Sequence, residues 1–372
     1  MTIAVMGCLP TMPEAFPLEY PENAGNMIHG RAPFAMFDDC VFYQDTRFRL
    51  SGYTKFAEFA NACCSHLVVT IANLLLIGDT DGSKYASFQH FLESIDIPIV
   101  VFGLGAQSKT HDLQNASMPS EAVALMQYLG KRCEVVGVRG PFTKEVFRHF
   151  AEVTNVYVTG CPSFFQRPEK FTDLREAVRS GKLGRPSYSG TVLHREDETE
   201  MLIDAIEQDT FLVEPVNKFN HAFHLACSRG DTEPEIPWYL RKHVGPDKRL
   251  SRRTVSEYYR ANYRLFRHTQ EWYAFNTECV SYTYGTRFHV NMASILSGVP
   301  AVWVTHDSRT DELTDFLHLP SVPLETATRM TTADYPSLFS QYEELFDNLS
   351  DLYANFNEYL SIFELPTLTL KF

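Results

Sequence analysis

Residues 280–307 read VSYTYGTRFHVNMASILSGVPAVWVTHD. The segment opens on an apolar run, VSYTYG, passes into a helical pattern from about residue 287, and returns to a second apolar run, PAVWVTH. Strand, helix and strand in so short a span is the unit of a parallel sheet, because parallel neighbours need a crossover between them. Arg287 and His289 fall where the first strand gives way to the helix. A helix start offers unpaired N–H groups and the positive end of a dipole, so an arginine there is repelled unless an anion sits between them. The segment therefore predicts two things together: a parallel α/β sheet, and an anion at its carboxyl edge.

The same alternation runs through most of the chain. HLVVTIA (66–72), LLLIG (74–78), IPIVVFGLG (97–105), CEVVGVR (133–139) and NVYVTG (155–160) have strand character, and YASFQHFLESI, PSEAVALMQYLG and PFTKEVFRHFA have helical spacing. Residues 166–190, poor in apolar side chains and ending in Gly and Pro, read as a domain boundary. Beyond it come TVLHR, a helix from about 197, TFLVEP, a polar insert, YRLFR, a helix near EWYAFNTE, the segment quoted above, and a helix near 308–317. We expect two Rossmann-like doubly wound domains, 1–170 and 188–335, followed by a helical tail, 336–372. In that tail residues 338, 342, 345, 349, 352, 356, 359 and 363 are all Leu, Tyr or Phe. Steps of three and four make one stripe on a long helix, which docks either on the protein's own body or on a second copy as a homo-oligomer seam.

Composition narrows the class. The 372 residues are 44% hydrophobic and 21% charged, as in globular proteins. No apolar run approaches the roughly 20 residues of a membrane span, and the first residues lack a signal-peptide pattern, so a cytoplasmic protein is expected. The eight cysteines show no zinc-like spacing and read as reduced thiols, with no metal or organic cofactor expected. A net charge of −13 argues against nucleic-acid binding. RKHVGPDKRLSRR (241–253) runs against that average. It is either a solvated loop or a contact for an anionic substrate or the inner face of a membrane.

Ligands of doubly wound folds bind beyond the carboxyl ends of the strands, so the polar residues that follow predicted strands are the candidates. Arg139, Arg287 and Arg309 all stand at or near helix starts. Each suits a phosphate or carboxylate through its planar fork, or else an ion pair, with Glu312 or Asp311 within reach of Arg309. His289 fits a proton carrier or a packed imidazole. Gln107 in GLGAQ donates to a ligand or merely follows a tight turn, and Asn73 interrupts an apolar run either as a bridge or as a contact. His306 and Asp307 offer a second polar pair, though Asp307 also suits a helix cap.

Taken together, IAN (71–73), GLGAQ (103–107), VRGPFT (138–143), GCPSFF (160–165), GTRFHVNM (285–292) and SGVPAVWVTHDSRTDEL (297–313) resemble the polysaccharide pyruvyl transferase family, in the family's order. NAGNMIHG (23–30) is similar to its N-terminal loop. The resemblance implies a GT-B-like fold with two domains facing a cleft. It implies transfer of the pyruvyl skeleton of phosphoenolpyruvate to two sugar hydroxyls, as a ketal, in cell-surface or extracellular polysaccharide synthesis. Arg287 and His289 match the family's donor-binding motif and Arg139 another arginine associated with it; on our own reading of the residues Arg309, Gln107 and Ser163 join them around the donor and His289 acts as acid. Asn26, Asn73, Asn291, His306 and Asp307 would be further substrate contacts, with a sugar or lipid-linked glycan as acceptor. Val290 departs from the pattern, which has glycine after the histidine. Two rivals share the architecture: a glycosyltransferase using a nucleotide sugar, and a silent member that binds glycans.

Overall fold

The computed structural model describes residues 1–20, 22–108, 111–190, 196–216 and 218–370. Two parallel sheets organise it. In the first, strands Ile3–Gly7, Cys40–Phe42, His66–Thr70 and Ile99–Val101 lie in the spatial order 2-1-3-4 when numbered along the chain. A bridge from Leu104 to Val138 continues it into the paired strands Val136–Val138 and Val156–Val158. The second sheet has six strands: Arg185–Tyr188, Phe211–Val213, Tyr263–Arg264, Val280–Gly285, Ala301–Thr305 and Ser321–Pro323. Their order is 3-2-1-4-5-6, that of a dinucleotide-type Rossmann sheet. Among the described residues the pairings in both sheets are parallel, and the longer strands, such as Ile3–Gly7, His66–Thr70 and Ala301–Thr305, are largely apolar, as strands covered on both faces are.

Strand order reverses between the first and third strands of sheet one and between the first and fourth of sheet two. These switch points leave a crevice at the carboxyl edge. In sheet two the crevice is framed by Ser189, whose carbonyl accepts from the Arg287 N–H at 3.1 Å. Gly285 passes so close to Ser189 that a Cβ would meet its carbonyl oxygen at 2.4 Å, and its φ of +137° suits only glycine.

The stripe in the tail is intramolecular. Helix Tyr342–Ile362 buries Tyr342, Leu345, Leu349, Leu352, Phe356 and Tyr359 in one core shared by both halves. The Tyr342 hydroxyl donates to the Ala301 carbonyl (2.9 Å) in sheet two, and the Tyr359 hydroxyl to the Val101 carbonyl (2.6 Å) in sheet one. One helix thus spans both lobes.

The stretch 166–190 is more ordered than its composition suggests. It holds helix Lys170–Ser180 and the central strand Arg185–Tyr188. That strand, RPSY, is short and weak in β-formers, and it is held by neighbours on both sides rather than by its own propensity. The expected strand TVLHR (191–195) lies outside the described residues. The basic strip 241–253 is largely paired. Arg249 meets Glu207 at 2.7 Å and Glu200 at 2.8 Å, Arg253 meets Glu257 at 2.8 Å, and Arg241 meets Glu235 at 2.5 Å. Among the described residues no helix is long and apolar enough to cross a membrane.

Candidate active site

Arg287 caps helix Phe288–Ile295 with extended backbone geometry, directly after strand Val280–Gly285. Short helix Asn26–Gly30 of the first lobe packs against it and brings the N-terminal loop into the crevice. The resulting cavity is walled by Asn23, Gly25, Asn26, Asn73 and Arg139 from one lobe and by Arg287, His289, Val290, Arg309 and Leu313 from the other. Its free interior is about 30 Å³, within about 420 Å³ of atom-free space once the mouth is counted.

Three arginines therefore meet in one cleft, as the helix-start argument requires. Arg139 is 3% exposed, and burial, then Arg309, lowers its affinity for a proton to a pKa of about 10 despite Glu312 nearby. Its Nε lies 4.0 Å from Glu312 Oε1 and makes no hydrogen bond. Arg309 is half-buried, 3.5 Å from Asp307, and its buried Nε also lacks a hydrogen-bond partner. Two buried guanidinium N–H groups without an acceptor are costly unless something completes them. The glycines of GLGAQ serve this arrangement. A Cβ on Gly105 would sit 1.7 Å from Arg139 Nε, so the close approach that glycine permits is that of Arg139.

His289 is half-buried beside these charges. Burial, His29, Arg139 and Arg309 all push its pKa well below the ordinary value, so the imidazole is neutral while the cleft lacks an anion. Its Nε2 lies 3.4 Å from Cys161 Sγ, and His29 Nδ1 lies 3.5 Å from the same sulfur. Nothing in their spacing marks Cys161 and His29 as neighbours. Each lies inside a quoted motif, GCPSFF and NAGNMIHG, which was the available signal.

The other candidates lie in the frame of the site. Asp307 caps helix Ser308–Phe316 in a capping box with Thr310. It also accepts from Gln107 Nε2 at 3.1 Å across the lobes. Burial raises the Asp307 pKa, but Arg309, His306 and Thr310 outweigh it and hold the carboxylate ionised. His306 stands 3.8 Å from that carboxylate. Asn291 is fully buried: its amide donates to Gly285 and Val302 carbonyls and its oxygen accepts from Ser189. Ser163, also buried, places its hydroxyl 2.9 Å from Cys161 Sγ. None of these five lines the cavity, whereas Asn26 and Asn73 do.

The molecule is thus a GT-B-like two-lobed protein with a guanidinium-lined cleft between Rossmann-type sheets. The family model for polysaccharide pyruvyl transferases matches residues 26–308, and the chain belongs to that family. Among solved structures, the H444N variant of the wall teichoic acid polymerase TagF is similar at 9% identity and a TM-score of 0.41, over 97% of this chain and 88% of that one. No curated protein matches.

Proposed function

We propose that this transferase moves the pyruvyl group of phosphoenolpyruvate onto two hydroxyls of a sugar or lipid-linked glycan and releases phosphate. The observation that carries the reading is the meeting of Arg139, Arg287 and Arg309 from both lobes around His289. A donor with a phosphate and a carboxylate on three carbons matches that charge, and guanidinium forks bind both groups in fixed geometry.

Charge also gives the acid its proton. Burial, His29 and then Arg139 and Arg309 disfavour the imidazolium before binding, and a bound anion offsets the arginines' share and favours protonation of the imidazole as the donor arrives. His289 then passes that proton to the methylene carbon while one sugar hydroxyl attacks the adjacent carbon. The first hydroxyl's proton restores the imidazolium, the C–O bond to phosphate breaks as the second hydroxyl bonds to the same carbon and closes the ring, and the second hydroxyl's proton leaves with the phosphate. Stabilising the departing phosphate falls to the three arginines.

The test is phosphate release from phosphoenolpyruvate against a panel of nucleotide- and lipid-linked sugars, with donor binding measured separately by calorimetry. His289→Gln should bind the donor and turn over about 100-fold more slowly. Saturable binding of a nucleotide sugar but none of phosphoenolpyruvate would overturn the reading in favour of glycosyl transfer. Donor binding without phosphate release from any acceptor would point to a silent member.

A further inference from the structure

Cys161 sits between two imidazoles drawn from distant parts of the chain. Its Sγ is 3.4 Å from His289 Nε2 and 3.5 Å from His29 Nδ1, and all three atoms lie within 4.8 Å of one another. We propose that His29, Cys161 and His289 form a binding site for one zinc ion, and that its occupancy silences the acid assigned to His289 above. The second clause rests on that functional reading; the binding site does not.

The two sulfur-to-nitrogen distances fit the ion. With Zn–S of about 2.3 Å and Zn–N of about 2.0–2.1 Å, a tetrahedral site has S···N edges of about 3.6 Å. A neutral thiol has a single hydrogen to share among its three polar neighbours, His29, His289 and Ser163. A thiolate holding a cation leaves no such shortfall, and the Ser163 hydroxyl, 2.9 Å away, is free to donate to it and fix its direction. The three residues come from helix Asn26–Gly30, the turn before Pro162–Phe165, and helix Phe288–Ile295, so packing has already brought the ligands together. Three protein ligands leave a fourth position for water or a donor oxygen.

The donor set also selects the metal. One thiolate and two imidazoles suit zinc and exclude magnesium and calcium, which require oxygen. Arg139 stands close enough to disfavour extra positive charge at Cys161 and both histidines. Only an ion that gains a strong bond from sulfur offsets this. An ion on Nε2 of His289 occupies the lone pair that would carry the proton, so metal occupancy and acid function exclude each other.

Cobalt(II) titrated into the metal-stripped full-length chain gives the direct test. One equivalent should produce a thiolate-to-cobalt charge-transfer band with tetrahedral d–d bands, and one equivalent of zinc should abolish both. Cys161→Ser should lose the charge-transfer band, His29→Ala should bind at least tenfold more weakly, and Cys63→Ser, at an exposed thiol, should behave as the parent. No band in the parent, or a band that survives Cys161→Ser, overturns the site. If Cys161→Ser fails to fold by circular dichroism, X-ray absorption at the zinc edge of the loaded parent decides: one sulfur and two imidazole nitrogens support the site, and a shell of oxygen and nitrogen alone refutes it. Donor binding by the metal-stripped chain is measured in parallel, which separates failure of the zinc site from failure of the transferase reading.

Discussion

Replacing Gly105 with alanine probes the anion-binding argument without removing any charge. The added Cβ would stand 1.7 Å from Arg139 Nε, 1.8 Å from Cζ and 1.9 Å from Nη2. Ordinary van der Waals contact requires about 3.5 Å, so the guanidinium must retreat by nearly 2 Å. The obstructed group is the far end of a flexible side chain, so folding should survive at a cost of about 1–3 kcal/mol. Donor binding should not. A hydrogen bond from a charged group contributes about 1.5–3 kcal/mol, and 1.4 kcal/mol is tenfold in affinity. Losing one such contact therefore weakens phosphoenolpyruvate by about 10- to 150-fold. Calorimetric titration of Gly105→Ala, Arg139→Met and the double variant measures this. Because both changes act through the same guanidinium, the double variant should be no weaker than Arg139→Met alone. Full donor affinity in Gly105→Ala, with a crystal structure showing Arg139 displaced, would refute the assignment of Arg139 to the donor.

Other expectations concern the frame. Glu312 accepts from the Thr143 N–H and hydroxyl at 2.9 and 2.8 Å and faces Arg139, so Glu312→Ala strips a buried charge of its partner and should cost about 3–5 kcal/mol in urea unfolding. Phe356→Ala, at a fully buried position stacked on Phe165, should cost about 3–5 kcal/mol and loosen both lobes together. Burial, Arg267 and His224 hold His221 at a pKa of about 4. The unfolded chain then binds the extra proton, so stability is present above about pH 6.5 and is lost as pH falls toward 4. Urea midpoints across that window should fall with pH, and His221→Gln should flatten the slope.

What was legible in the sequence follows period and punctuation. VSYTYG and AVWVT are long apolar runs, and they are strands almost where the pattern puts them. The tail stripe was equally plain, because eight positions agree on one face. Strand Cys40–Phe42 is three residues long and Arg185–Tyr188 contains proline, so neither has a pattern of its own; sheet neighbours define both. At the site, Arg139, Arg287 and Arg309 were readable because strand ends converge in a doubly wound fold wherever they fall in the chain. Asn291 and Asp307 stood at the right topological position too, but their side chains close framework bonds. The trio His29, Cys161 and His289 was not legible by ligand spacing, since its members are separated by well over a hundred residues and meet only through the packing of three elements.

Helix Tyr342–Ile362 grips one lobe near its start and the other near its end. A strap riveted at both ends permits rotation far more readily than separation. Any widening of the crevice must therefore be a tilt that leaves this attachment intact, and it must first break the Gln107–Asp307 and Ser108–Ser308 contacts at the rim. Any such tilt swings about the strap as a cover swings on a bound book, with the Gln107, Asp307 and Ser308 side chains and the Ser108 backbone as its clasp.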